Sequence, residues 1–599
     1  MEPSIALFDT VLSPTAIYCD TVAWEEDDAS ATPAPSWDDS QLNPKNRINS
    51  LAPVTSPTWR LDGVDRSGTV FFALPWFALG ESPLRIDVHI PSQREHPRHL
   101  RTAMRSGSAL LLQGQGAAQL GISQHVLRAL ERWSGRMPDF RGKYRQMPFG
   151  SRVVIDSITA DIRDMGVHLV PNYDVEQQWY PLEQLQDMWT DIPWETWPEV
   201  VDWKEVRLER QLDEAVSLVQ LPSRHGTETL VFKSLVRDRK YLYHELRTLL
   251  TLLPQPSIIP GPLYVVKKKC RFGGKLGVCG FILPYYPDGT LRDALTPQSS
   301  LADRFRWARQ VTDALVHIHE STAGFHPDLR PDTVLVARRD PSDPKSPQDA
   351  VLADLEQRGG WYAWTPPEVR YIEYMEQIAT VARCPPVRME AAALLRAHIP
   401  RWKAPSQVDR YSYSPKVSNS NGGFNAAWLS LRDFRAREAA QVFMLGKLLW
   451  CVFEGMGSVN CAISAEMLRD EIPAADAPQF PDFRSTPEIL RAVIRACTSG
   501  APEWDGRRRS ITRWGERLVP AECIGPASAS ATAADTQVAA RAWWREEVRC
   551  AKAYLTKLSQ KAPEDEINAM TGAGGRPTLA EVLGDIRRAE EECLGQGEG

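Results

Sequence analysis

What the 599-residue chain lacks narrows its function first. Its ten cysteines are scattered and include no C-x-x-C pair, so neither a zinc site nor a disulfide framework is indicated. The longest apolar run, Thr69 to Leu79, contains Pro75 and is far too short to cross a bilayer, so no membrane partner is expected. Positive charge is not in excess. With 70 Lys and Arg against 76 Asp and Glu, the net charge is -6, which leaves no electrostatic case for nucleic acid. The start, Met1-Glu2-Pro3-Ser4, lacks the basic region of a signal peptide, so a soluble intracellular protein, cytoplasmic or nuclear, is the expectation. Aromatic residues are plentiful. Twenty Trp residues spread along the chain read mainly as core.

Length alone implies several domains with ample chain to bury their cores. Residues 1–55 are rich in Pro, Ser, Asp and Thr and read as a disordered N-terminal tail. Residues 56–200 read as an α+β domain of unknown role. Strands are expected at Thr69–Leu79, Leu84–Ile90, Ser151–Ile158 and Gly166–Pro171, with helices over His99–Trp133 and around Leu182–Trp189. No catalytic motif is legible there. Ile192 to Pro198, with two Pro and two Trp, reads as a linker, and residues 526–539, rich in Ala, Ser and Thr, as another. Helices are expected over Ala540–Gln560 and Leu579–Cys593.

The chemistry gathers in one stretch, His326-Pro327-Asp328-Leu329-Arg330-Pro331-Asp332-Thr333, followed by the apolar run Val334-Leu335-Val336. A second apolar run, Val351-Leu352-Ala353, ends in Asp354-Leu355-Glu356. Two buried strands that each deliver a carboxylate at an edge suit a site handling a proton and a divalent metal. One carboxylate can orient and deprotonate a hydroxyl, while the other holds magnesium against a nucleotide's phosphates. The pair resembles the protein-kinase catalytic loop, H-R-D-L-K-P-x-N, and the metal-binding D-F-G.

Other pieces of that resemblance follow in order. Thr229 to Leu235 is an alternating strand carrying Lys233, similar to the kinase V-A-I-K strand, and the amphipathic Tyr241–Leu253 carries Glu245 at a spacing suited to the Lys–Glu ion pair. Val278 to Leu291 resembles the fifth strand and hinge, with Leu283 at the gatekeeper and the backbone of Pro284 to Tyr286 facing adenine, so that Tyr285 and Tyr286 line the ATP site. Pro366-Pro367-Glu368 resembles A-P-E. Ala439 to Gly455 resembles the central helix of the large lobe, with Gln441 in place of the bracing Asp. Gly575-Arg576-Pro577-Thr578 resembles the R-P-T that opens the last helix. The whole pattern looks like the divergent protein-kinase-like proteins of filamentous fungi.

The resemblance implies an α+β, bilobal protein-kinase-like fold after the N-terminal domain. A small β-rich lobe would span 201–290 and a large helical lobe 291–525, with an insertion at about 370–438; the helices of 540–599 would complete the large lobe. It implies transfer of phosphoryl groups from ATP to Ser or Thr hydroxyls of a protein substrate, with Mg2+. Asp328 would orient and deprotonate the acceptor, Arg330 would steady the transferring group, and Lys233, paired with Glu245, would hold the phosphates. Asp354 and Thr333 would hold magnesium. Glu356 adds a carboxylate that is either a further ligand or a solvated residue.

The departures matter as much. Val206 to Leu221 contains no glycine where a kinase places G-x-G-x-x-G, and the acids of Gln211-Leu212-Asp213-Glu214-Ala215-Val216 would repel phosphate. Thr333 replaces Asn. Pro327 removes the Arg that receives a loop phosphate, Glu368 lies only 14 positions beyond Asp354, and the loop offers only Tyr362 and Thr365 as acceptors. Activation by loop phosphorylation is therefore not expected. Arg508 and Arg576 compete for the role of partner to Glu368. Two other readings stand beside the kinase. A pseudokinase serving as a binding or scaffold module accounts for the lost glycines. A small-molecule phosphotransferase of aminoglycoside- or choline-kinase-like type fits H-x-D and D-x-E, but generally lacks the Pro-Pro-Glu segment.

Overall fold

Alternating apolar residues in the N-terminal third pair into a five-stranded sheet of order β1-β2-β3-β4-β5: Trp59–Val64, Val70–Pro75, Asp87–His89, Arg152–Ile155 and Val167–Val170. The β3–β4 pair is parallel and the others antiparallel. The structure is a computed structural model. It describes residues 8–19, 57–64, 70–90, 121–156, 158–159, 161–236, 239–356, 362–400, 402–404, 426–431, 433–459, 463, 478–506, 510–514, 517–523 and 531–595. It is a mixed α+β protein whose chain forms two compact units. Unit one takes Asp27–Leu242 and Pro262–Tyr285 with the first two residues, and unit two takes Pro3–Glu26, Tyr243–Gly261 and Tyr286–Gly599. Among the described residues no disulfide joins the cysteines, and no helix is long and apolar enough to cross a membrane.

In unit one, helices α1 (Gly121–Arg136) and α2 (Phe140–Arg145) cover the first sheet, and Val126, Leu130 and Tyr144 close a core with Trp59, Phe71, Ile86 and Val153. The expected helix over His99–Trp133 is described only from Gly121 onward. Short helices α3 (Asp174–Gln178) and α4 (Leu182–Met188) lead to a second, six-stranded sheet of order β6-β10-β11-β9-β8-β7. Its strands are Glu199–Asp202, Arg207–Gln211, Val216–Gln220, Leu230–Ser234, Tyr264–Lys269 and Leu276–Pro284, numbered β6 to β11 in chain order, with the turn α5 (Pro222–His225) before β9.

The two sheets do not form separate domains on either side of residue 200. They share one unit, and β6 at that boundary pairs in parallel with β10. A single carboxylate explains much of the union. Glu176 on α3 is buried and receives the Lys268 ammonium, the Arg271 N–H and the Phe149 N–H, the last at 2.9 Å. The Cys270 thiol donates to the Glu176 carbonyl at 3.3 Å. The other tie runs along β7, which would otherwise be an edge strand with open polar groups. Gly80 N–H donates to the Leu208 carbonyl at 2.9 Å, and Leu208 N–H donates to the Glu81 carbonyl at 2.8 Å. Gln211 N–H donates to Asp62 Oδ2 at 2.8 Å.

Unit two is mainly helical. Helix α6 (Arg239–Thr251) enters it at Tyr243. The short α7 (Leu291–Ala294) precedes α8 (Leu301–Glu320), which starts where Ser300 accepts a hydrogen bond from Asp303 N–H at 3.1 Å. The β12–β13 hairpin (Val334–Arg338 with Gln348–Leu352) packs on α8. Helices α9 (Pro367–Val381), α10 (Pro385–His398) and α11 (Ala426–Ser430) fall in the region of the expected insertion. The polar tract Ser412–Gly423 lies outside the described residues. Helix α12 (Phe434–Glu454) is buried from Glu438 onward, as an apolar helix with no polar face must be. It packs on α8 and on α13 (Glu488–Cys497). A small hairpin, β14–β15 (Ile511–Trp514 with Arg517–Pro520), precedes α14 (Ala533–Ser559), α15 (Glu564–Thr571) and α16 (Leu579–Gly595).

Two sequence expectations are corrected here. Helix α14 begins inside the presumed linker of 526–539, because Thr532 and Asp535 cap each other reciprocally. Residues 8–19 are not a loose tail. Phe8–Leu12 and Pro14–Tyr18 form helical turns packed against α14, where Trp544 Nε1 donates to the Val11 carbonyl at 2.8 Å and Arg541 Nε to the Ala16 carbonyl at 3.2 Å. Burial of Val11, Leu12 and Ala16 outweighs the polar composition of their surroundings.

Candidate active site

The loop after α8 is held from two sides. The buried His326 donates its backbone N–H to Gln441 Oε1 on α12 at 2.7 Å. Burial keeps its ring below the ordinary histidine pKa, and the neutral ring donates from Nε2 to the Ala353 carbonyl at 2.9 Å. One histidine thus ties the loop to the strand end that carries Asp354. Gln441 supplies the acceptor that a bracing carboxylate would supply, while its Nε2 lies buried with no hydrogen-bond partner.

Asp328 and Arg330 form a two-pronged pair, with Nε to Oδ1 at 2.6 Å and Nη2 to Oδ2 at 3.0 Å. Arg330 Nη1 also reaches Asp332 at 3.2 Å, and Asp332 receives Arg292 at 3.1 Å. Asp328 keeps 18 % of its side chain exposed. Its carboxyl stands above the usual range because burial desolvates it, with Arg330 pulling the other way and the Asp354 charge adding to the rise.

Thr333, expected as a magnesium ligand, uses its hydroxyl within the loop. It accepts from Arg330 N–H at 3.1 Å and donates to the Asp328 and Arg330 carbonyls at 2.9 and 3.0 Å. The side chain is buried and staples the turn. The carboxylates that do converge are Glu245, Asp354 and Glu356, each offering an oxygen within 4.8 Å of the others. Asp354 sits at φ +62°, a left-handed conformation that costs a non-glycine residue energy and that concentrates at functional sites. Buried Glu245 accepts from Leu355 N–H at 3.2 Å, which joins α6 to the segment between the other two acids. Three hard oxygen donors suit a magnesium-class cation and do not suit a soft one. Sequence reading proposed Asp354 and Thr333 for this role and left Glu356 as either a further ligand or a solvated residue. It singled out Glu245 as the ion-pair partner of Lys233, whereas the structure gathers its carboxylate with Asp354 and Glu356.

The segment closing the site is pinned without a phosphate. Glu368 forms a buried, two-pronged pair with Arg576, at 2.6 and 3.2 Å, and the same guanidinium donates to the carbonyls of Ala439, Ser499 and Thr571. Arg576 is therefore the partner of Glu368; Arg508 lies outside the described residues. Lys447 on α12 donates to the Ala363 carbonyl. Thr365 is fully buried, and the half-buried Tyr362 donates to Gln377 at 2.6 Å.

The remaining sequence candidates sit as follows. Lys233 lies on β9 of unit one, opposite Val216 and Phe281. Leu283 is buried on β11 and Tyr285 follows that strand, half-buried. Tyr286 begins the adjoining segment of unit two, its hydroxyl pushed up by burial. The glycine-free β7–β8 turn is closed by Leu212 and Asp213 N–H groups on the Val216 carbonyl, and Ser234 N–H ties its Ala215 carbonyl at 2.8 Å. A scan against protein-family models finds no match to this chain, and no curated protein matches it.

Proposed function

We propose that the chain is a divergent protein kinase that transfers phosphoryl groups from ATP to Ser or Thr hydroxyls in a protein substrate. The observation that carries this reading is that Asp328 and Asp354 feel each other's charge while Asp354 also faces Glu245 and Glu356. Carboxylates crowded in this way repel one another, and a divalent cation relieves that repulsion. When bound, Mg2+ neutralises phosphate charge and orients the nucleotide. Asp354, with Glu245 and Glu356, supplies the oxygens that hold it.

Asp328 orients the acceptor hydroxyl and takes its proton at Oδ1 or Oδ2. Arg330 holds that carboxylate in place and offsets its charge. His326 and Gln441 keep the loop against the Asp354 strand, and Thr333 keeps the turn between Asp328 and Arg330 closed. The Glu368–Arg576 pair supports a protein kinase over a small-molecule phosphotransferase, because it gives the Pro-Pro-Glu segment a structural role.

One observation favours a second reading, a kinase-shaped binding module. The β7–β8 hairpin has no glycine, carries Asp213 and Glu214 at its turn, and is tied along its edge by Gly80, Glu81 and Asp62. Such a hairpin cannot approach phosphates closely.

Thermal unfolding with ATP, with and without Mg2+, separates the readings, because a ligand that binds only the folded state raises the midpoint. A magnesium-dependent rise that Asp354→Ala abolishes, with protein phosphorylation that Asp328→Asn abolishes, supports the kinase. A rise without phosphorylation supports the binding module. No rise at millimolar ATP sinks the kinase and leaves a kinase-shaped binding module that takes no nucleotide.

A further inference from the structure

The β10–β11 hairpin of unit one ends in an arrangement that the kinase reading does not use. Its sequence, Lys267-Lys268-Lys269-Cys270-Arg271-Phe272-Gly273-Gly274-Lys275, holds five cations and no acid. Phe272 stands 67 % exposed at the tip, beside Tyr173 at 41 %, with ring centroids 6.2 Å apart and edge to face. Leu276, 44 % exposed, faces Lys269 across the strands.

This exposure comes from a well-anchored turn. Cys270 N–H donates to the Lys275 carbonyl at 2.8 Å, Arg271 N–H donates to buried Glu176, and Arg271 Nη2 donates to the Arg145 carbonyl at 2.7 Å. Gly273 and Gly274 both adopt left-handed φ, +73° and +65°, which lets the chain reverse directly after Phe272. An aromatic two-thirds exposed at the apex of an anchored turn has no role in the core.

Cations outnumber acids around the tip. Lys269 and Arg271 are exposed, Lys275 is half-buried, and exposed Lys143 lies on α2, the helix whose last carbonyl Arg271 grips. Of the acids on these elements, Glu176 is paired with Lys268 and Glu81 with Arg141 and Arg145, while exposed Asp174 stands next to Tyr173 and exposed Asp139 caps α2.

We propose that this hairpin tip docks the protein on an anionic lipid surface. Phe272 would seat among the headgroups beside Tyr173, while Lys269, Arg271, Lys275 and Lys143 meet lipid phosphates and carboxylates. A two-stranded hairpin tip is convex, so it offers no groove for a peptide, whereas a flat sheet of anionic headgroups meets all of these cations at once. Aromatic rings with an apolar body favour that interface, and lysine stems reach its charge. This is peripheral docking and needs no spanning helix. It is independent of phosphoryl transfer.

The test is co-sedimentation of the full chain with vesicles of phosphatidylcholine alone, or with about one-third phosphatidylserine, a content that gives a strongly negative surface. Retention on the phosphatidylserine vesicles alone is expected, declining as salt rises from about 50 to about 500 mM and shortens the screening length. Each surface cation is worth roughly fivefold in partition, so Lys269→Glu should weaken retention about 25-fold. Phe272→Ser should weaken it several-fold with the unfolding midpoint unchanged. Equal retention on both vesicle types, salt-insensitive retention of the unaltered chain, or full retention of the Lys269→Glu, Phe272→Ser double variant overturns the proposal. So does capture by a labelled oligonucleotide or poly-glutamate without retention on vesicles.

Discussion

Arg330 grips both carboxylate oxygens of Asp328, at 2.6 and 3.0 Å, across a single intervening residue. The pair orients the carboxylate before any substrate arrives and decides the pH at which it is ionised. Burial raises the Asp328 pKa and Arg330 opposes the rise. Removing the guanidinium leaves desolvation and Asp354 to act unopposed, so Asp328 binds its proton more tightly. In Arg330→Ala the acid limb of the pH profile of kcat/KM should therefore move to higher pH, with activity falling about 10²-fold or more at neutral pH. An unmoved limb would mean that Asp328 is not the base.

Glu368 and Arg576 are both buried, and each is the other's compensation. Arg576→Ala strands a buried carboxylate and three carbonyls, and should cost about 3–5 kcal/mol, read from denaturant midpoints. Arg576→Lys should recover little of it, since an ammonium cannot copy the two-pronged geometry.

Thr333 distinguishes a staple from a ligand. If its hydroxyl serves the loop, Thr333→Val should lower stability by about 1–3 kcal/mol and leave the magnesium concentration needed for half-maximal activity unchanged. A large rise in that concentration would return Thr333 to the metal site.

Glu376 on α9 accepts from Trp402 Nε1 at 2.7 Å, and burial pushes its carboxyl from the ordinary 4.5 up to about 7. Between those values the folded chain keeps a proton that the unfolded chain has released. Stability from this group is therefore present in full below about pH 4.5 and is lost as pH rises through about 7. Partial contact with water limits the change to on the order of 1–2 kcal/mol. Urea midpoints measured across that window should fall for the unaltered chain and fall less for Glu376→Gln.

How much of this was legible in the sequence depended on range. Asp328 and Asp354 were readable because one lies just before an apolar run and the other ends one, and because the two stretches resemble the kinase catalytic and metal-binding loops. The start of α14 was also written locally: Thr532 and Asp535 stand three apart, the spacing of a reciprocal cap, but the Ala/Ser/Thr composition drew attention away from it. The choice between Arg508 and Arg576 was not local. Glu368 finds its partner 208 positions away, and no pattern within a few residues of either arginine records that. Glu176 was harder still. It is an acid in a five-residue helix, and its importance comes from Lys268, Phe149 and Arg271 converging from other elements. Glu245 was singled out as a partner for Lys233, but its place beside Asp354 and Glu356 was not legible, since its contact with Leu355 spans 110 positions.

The turns at residues 8–19 lean on a helix more than 500 positions later, as the Val11–Trp544 contact shows. During synthesis the earliest of these residues must wait for nearly the whole chain to be made, roughly half a minute to two minutes at ordinary elongation rates. Throughout that interval α14 is absent, and Val11, Leu12 and Ala16 have no surface to bury against. The seat for residues 8–19 is therefore completed only once α14 has been made.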